Sequence, residues 1–119
     1  LWDEKYEKYL GIKADKASEG ILQDIHWSDA SFGYFPTYAL GSAIGAQLLH
    51  QMEKDLDVDA LLEQNRFKAI TDYLKKNVQK YAALYDFETI LEKATGERFN
   101  PYYYIEYLKK KYGELYEVK

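Results

Sequence analysis

The chain of 119 residues contains no cysteine, only two prolines and only two histidines. Without cysteine, disulfides and thiolate metal sites are excluded, and nothing conflicts with a reducing cytoplasm, the compartment expected for it. A long apolar run is missing too. Charge begins at Asp3, so the N-terminal stretch reads as neither a secretory signal nor a membrane span, and a start at Leu1 rather than Met suggests an expressed fragment. There is no basic excess either: 16 Lys plus Arg against 20 Asp plus Glu leave a formal charge of -4. Nucleic acid and anionic membranes are therefore not expected as partners. Metal chemistry is equally thin. His50 is followed three residues later by Glu53, a spacing that sets two ligands on one helix face, but a zinc site needs a third protein ligand. No metal ligand is assigned, and His50 is read as structural.

What the chain does have is helical periodicity. Trp2, Tyr6, Tyr9 and Leu10 recur at helical spacing ahead of Gly11, which marks a helix end. Ser18 is a candidate cap for a short helical segment from Glu19 to His26, which would set Gln23 and Trp27 one turn apart on a shared face. From Ser28 to Phe35 the residues have no period and suit a loop, with Gly33 at a sharp turn. Pro36 opens a helix whose apolar positions Leu40, Ile44, Leu48 and Met52 fall every four residues. Its first three turns have almost no polar face, so burial all round is expected, with Gly41 and Gly45 admitting another backbone. In so short a chain, part of that helix is expected to face missing protein, to self-associate or to stay exposed.

Further on, Asp57 caps a helix holding Leu61 and Leu62, and Phe67, Ile70, Tyr73, Leu74 and Val78 mark the next. Asp86 caps Phe87 to Ala94, with Ile90 and Leu91 inward and Gly96 as a left-handed stop. Asn100-Pro101 starts a last helix through Tyr104, Ile105, Leu108 and Tyr112 as far as Gly113. No alternating strand pattern and no internal repeat is visible. The predicted fold class is all-α, an irregular multi-helix domain spanning residues 1–119. Thirteen tyrosines, six of them after position 100, read as packing residues that bury a ring and keep a hydroxyl wet. Lys109-Lys110-Lys111 is balanced by Glu106, Glu114 and Glu117, a solvated helix face.

One stretch looks like a site. Gly20-Ile21-Leu22-Gln23-Asp24-Ile25-His26-Trp27, with Phe32-Gly33-Tyr34-Phe35-Pro36-Thr37-Tyr38 behind it, gathers an amide, a carboxylate, an imidazole, an indole and two phenols. That is more hydrogen-bonding chemistry than helix packing requires. A lone histidine reads by default as a structural residue, and no second cluster completes a nucleophile or metal constellation. Gln23 and Asp24 either orient His26 or hold substrate, and Asp24 serves equally well as a cap or ion-pair partner. Trp27 reads as a packing anchor.

Gly20, Gln23, Asp24, His26 and Trp27 stand as G-x-x-Q-D-x-H-W, and this motif resembles the thermostable zinc carboxypeptidases of the carboxypeptidase Taq type. Ser31 to Gly41 is similar to the same family, as is the tail from Ala94-Thr95-Gly96-Glu97 through Asn100-Pro101 to Tyr116. The middle departs from it: Lys80-Tyr81-Ala82-Ala83 lacks the His-Gly expected before Leu84-Tyr85-Asp86. The resemblance implies a C-terminal segment of a larger, mostly helical metallopeptidase. Its HExxH helix, further glutamate ligand and substrate-binding arginines belong upstream of residue 1. It implies zinc or another divalent metal bound outside this chain and none in the segment alone, broad side-chain tolerance at peptide C-termini, and a homodimer. In HExxH peptidases separate donors stabilise the oxyanion that forms when water attacks the peptide carbonyl. By that resemblance His26 and Tyr34 are the candidate catalytic donors, and Gln23, Asp24 and Tyr38 the candidate substrate-binding residues. The segment alone is expected to be inactive. The rival expectation, from another class, is a stand-alone helical module whose aromatic loop binds a peptide without cleaving it.

Overall fold

Local capping chemistry sets most helix ends. In the computed structural model, which describes residues 1–117, the chain forms α1 (Trp2–Leu10), α2 (Pro36–Glu53), α3 (Val58–Glu63), α4 (Phe67–Asn77), α5 (Phe87–Thr95) and α6 (Tyr102–Tyr116). Gly11 and Gly96 end α1 and α5 in the left-handed conformation, at φ 67° and 82°. Asp57 accepts from the Ala60 N–H at 3.1 Å, and Asp86 from the Thr89 N–H at 2.8 Å, so both aspartates predicted as caps do cap. There are no strands among the described residues, and no helix is long and apolar enough to cross a membrane.

The chain divides into two compact units, Leu1–Tyr38 and Ala39–Lys119. In the first, α1 is followed by three single 3-10 turns, Ala17–Glu19, Ile21–Gln23 and Ile25–Trp27. This corrects the expectation of one helical segment from Glu19 to His26. Gly20 (φ -119°, ψ -119°) and Asp24 (φ -84°, ψ 105°) leave the helical region, and the Ser18 side chain caps nothing. Gly20 is the one fully buried residue of this unit. A Cβ there would stand 3.0 Å from the Trp2 ring and 3.1 Å from Ala14 Cβ, which is why the position takes glycine.

The second unit owes its core to Ala43, Ala46 and Met52 of α2, Val58 of α3 and Leu91 of α5. Here periodicity chose the wrong face. Of Leu40, Ile44, Leu48 and Met52 only Met52 is buried; Leu40 is exposed, and Gln47 is 1 % exposed. The Gln47 amide accounts for this. Its Nε2 donates to Thr95 Oγ1 (3.1 Å) and the Arg98 carbonyl (3.0 Å), while Oε1 accepts from the Asn100 N–H (2.9 Å). A buried amide with its partners satisfied fixes α2 against the α5–α6 connection. Burial all round is not observed: Gly41 and Gly45 face open space.

The last helix begins at Tyr102, one residue later than Pro101, with Asn100 Oδ1 accepting from the Tyr102 N–H at 3.1 Å. It also runs past Gly113 to Tyr116 and stops at left-handed Glu117. One interior glycine costs about 1 kcal/mol, too little to end a helix of this length. Of the six late tyrosines, Tyr103 and Tyr104 are half-buried and the other four exposed, so packing within this unit accounts for only part of the cluster.

Candidate functional site

The first unit builds its site almost wholly from short-range bonds. Asp24, extended, turns its carboxylate back over the turn that follows. Oδ1 accepts from the His26 backbone N–H at 2.9 Å and lies 2.5 Å from His26 Nδ1. The next turn closes where the Ser28 hydroxyl donates to the Ile25 carbonyl at 2.6 Å. Gly33, at φ 81°, takes the left-handed conformation predicted for a sharp bend, and the Tyr34 N–H bonds back to Ser31. Thr37 Oγ1 then donates to the Tyr34 carbonyl at 2.6 Å as α2 begins.

These constraints bring four of the five predicted site residues together. The His26 ring lies 5.1 Å from that of Tyr34, stacked at 29°, and 5.8 Å from Tyr38 at 57°. Asp24 and His26 are largely shielded, with side chains 18 % and 20 % exposed, whereas Tyr34 and Tyr38 are open to solvent. Gln23 is the exception: its amide donates to the Ser18 carbonyl and so is occupied by the neighbouring turn. Burial pushes the Asp24 carboxyl up, but hydrogen bonds from the His26 backbone and ring, with the ring's charge, outweigh it. The carboxyl is held below the ordinary aspartate range.

Two contributors escape a motif-based reading. Phe35 sets its ring 5.8 Å from His26 and closes a third aromatic side. Trp2 packs over Gly20, and its only sequence signal was helical spacing in α1. A cleft of about 400 Å³ opens beside Asp24 and His26, lined by Trp2, Gln23, Asp24, His26, Trp27 and Phe35 among others, with Tyr34 and Tyr38 not among its lining residues. Trp2, Tyr6, Trp27, Phe32 and Phe35 give it an aromatic part, and Gln23, Asp24 and His26 add polar groups, the make-up of a small-molecule or peptide site. A cleft of similar size in the second unit, about 420 Å³, holds His50 with surface acids and lysines and no comparable arrangement. The His50 ring itself lies 4.5 Å from Tyr103. No group of three or more His, Cys, Asp or Glu side chains suited to a metal converges among the described residues.

Residues 1–112 match the family model of the carboxypeptidase Taq (M32) metallopeptidases. Carboxypeptidase 1 of Bacillus subtilis is 46 % identical over 117 residues, 98 % of this chain and 23 % of that protein. The chain is similar in fold to metallocarboxypeptidase 1 of Trypanosoma cruzi, with a TM-score of 0.89 and 35 % identity over 93 % of this chain and 24 % of that one. A structure of Pyrococcus furiosus carboxypeptidase, described as apo-Mg, gives 0.89 and 38 % identity over 93 % of this chain and 22 % of that one. The chain thus spans about a quarter of the length of the relatives it matches.

Proposed function

The chain belongs to the carboxypeptidase Taq (M32) metallopeptidase family, and from that premise we propose that it forms one wall of the peptide cleft of a zinc-dependent enzyme releasing C-terminal residues from peptides. One observation carries the reading: His26 lines the cleft, and the Tyr34 ring is stacked on it at 5.1 Å. When a peptide carbonyl is attacked, its oxygen gains negative charge, and fixed donors aimed at it act most strongly where water is excluded. The phenol of Tyr34 and the imidazole of His26 are such donors. Gln23, which lines the cleft although its amide nitrogen donates to the Ser18 carbonyl, and Tyr38, exposed at the start of α2, hold the substrate.

Family membership implies a metal, and the residues present do not fit one, since no ligand group converges among the described residues. The proposal therefore places the ion on the rest of the protein and gives this chain the tasks of binding substrate and stabilising charge; alone it is inactive. A homodimer is proposed for the whole protein. Exposed apolar side chains on α2 and α6, such as Leu40, Tyr102 and Leu115, support a further protein surface covering them. The absence of cysteine supports a cytoplasmic setting, and the acidic balance supports partners other than nucleic acid or anionic membrane.

The test is Tyr34→Phe in the full-length protein. Loss of one oxyanion donor costs about 3 kcal/mol, roughly a hundredfold in kcat. We expect that fall with metal content unchanged; undiminished turnover would remove Tyr34 from the mechanism.

A further inference from the structure

The two nitrogens of His26 are held differently. Nδ1 lies 2.5 Å from Asp24 Oδ1, and the same oxygen takes the His26 backbone N–H, so carboxylate, backbone and ring form one closed unit. An ionised carboxylate can only accept, so the Nδ1 contact requires the proton to sit on Nδ1. That fixes what Nε2 can do. In a neutral ring protonated at Nδ1, Nε2 is a bare acceptor; it becomes a donor only when the ring carries both protons.

We propose that Asp24 is a positioning residue that reserves Nε2 of His26 for the substrate and makes His26 an oxyanion donor only in its doubly protonated form. This rests on the oxyanion reading above and, of the two roles expected of Asp24, orienting His26 or holding substrate, takes the first. The rings of Tyr34, Phe35 and Tyr38 surround the imidazole at 5.1 to 5.8 Å. Among the described residues Asp24 is its one ion-pair partner. The titratable groups facing it are thus Asp24 from its own turn, Tyr34 from the loop and Tyr38 from α2. The two donors of the site then differ in kind. Tyr34 brings its own hydroxyl proton, while His26 contributes only while its second proton is present.

The test is a double-mutant cycle in the full-length protein, using an N-acylated dipeptide and kcat from about pH 6 to about pH 9. For the wild type, the ratio of its kcat to that of His26→Gln should be about a hundredfold at the acid end and fall toward one as pH rises. In an Asp24→Asn background the corresponding ratio should lose this pH dependence, with KM little changed. The asparagine amide can offer its N–H to Nδ1 and switch the neutral ring to the tautomer that bears its proton on Nε2. The same pH-dependent ratio in both backgrounds would overturn the proposal. A second arm needs no activity: nitrogen NMR of the histidine-labelled full-length protein should find the neutral His26 ring protonated at Nδ1. Protonation at Nε2 instead would overturn the proposal even in an active enzyme. A protein that turns over no such peptide defeats the oxyanion reading, and the NMR arm then decides the Asp24 positioning by itself.

Discussion

The two units are held by different physics. Ala39–Lys119 contains every buried side chain among the described residues, with Leu91 at 1 % exposure and Gln47 bonded to four separate backbone or side-chain groups. Leu1–Tyr38 buries only Gly20 and keeps its shape through bonds spanning two to five residues, such as Asp24 to His26 and Ser28 to Ile25. The chemistry sits in the unit with almost no core. Its side chains are aimed by turn geometry, so substitutions there should change turnover more than stability, and substitutions in the second unit should do the reverse.

The largest stability effect that would sharpen this contrast is Leu91→Ala. Emptying a fully buried leucine site costs about 2–5 kcal/mol, read as a lower denaturant midpoint. A cost under about 1 kcal/mol would mean that the second unit is not held by burial. Gln47→Leu comes next. It keeps the volume but strands the Asn100 N–H and the Arg98 carbonyl, for an expected loss of about 1–3 kcal/mol. An unchanged midpoint would show that apolar packing alone fixes α2.

Ala82→Gly should act in the opposite direction. Ala82 sits at φ 45°, ψ -121°, where a side chain is strained. Relief of that strain should outweigh glycine's greater freedom when unfolded, for a gain of about 1 kcal/mol. A loss would mean that the backbone there is comfortable with alanine.

The smallest effect is the acid limb. Hydrogen bonds from Thr89 hold the Asp86 carboxyl below the ordinary aspartate range, and Asp24 is also low. For groups depressed in the folded state, the stabilisation is complete above the unfolded value of about 4 and is lost as pH falls through the folded values. Unfolding followed from about pH 5 down to about pH 2 should therefore show Asp86→Asn less sensitive to acid than the wild type. Equal sensitivity would remove the cap from the account.

Helix identity was legible because its signals are local. Asp57, Asp86, Gly11 and Gly96 each act on a backbone group within about one turn, so their effect can be read from neighbours alone. The face of α2 was not legible: a stretch with apolar or small residues on every side does not indicate which side is covered. The decision falls to Gln47 through partners 48 to 53 residues away. Within the site, the residue types were evident and their arrangement was not. Gly20 and Asp24, four apart, break the helical run, and only the resulting 3-10 turns bring the Asp24 carboxylate back onto His26. The aromatic neighbours Phe35 and Trp2 needed the fold, because their spacing reads as ordinary packing.

The most direct test of the division between the units is to measure kcat and the thermal midpoint together for His26→Ala in the full-length protein. Measured at about pH 6, kcat should fall about a hundredfold while the midpoint stays within about 1 °C of the wild type. Unchanged kcat, or a midpoint that drops as far as that of Leu91→Ala, would contradict a site aimed by local turns and separate from the core.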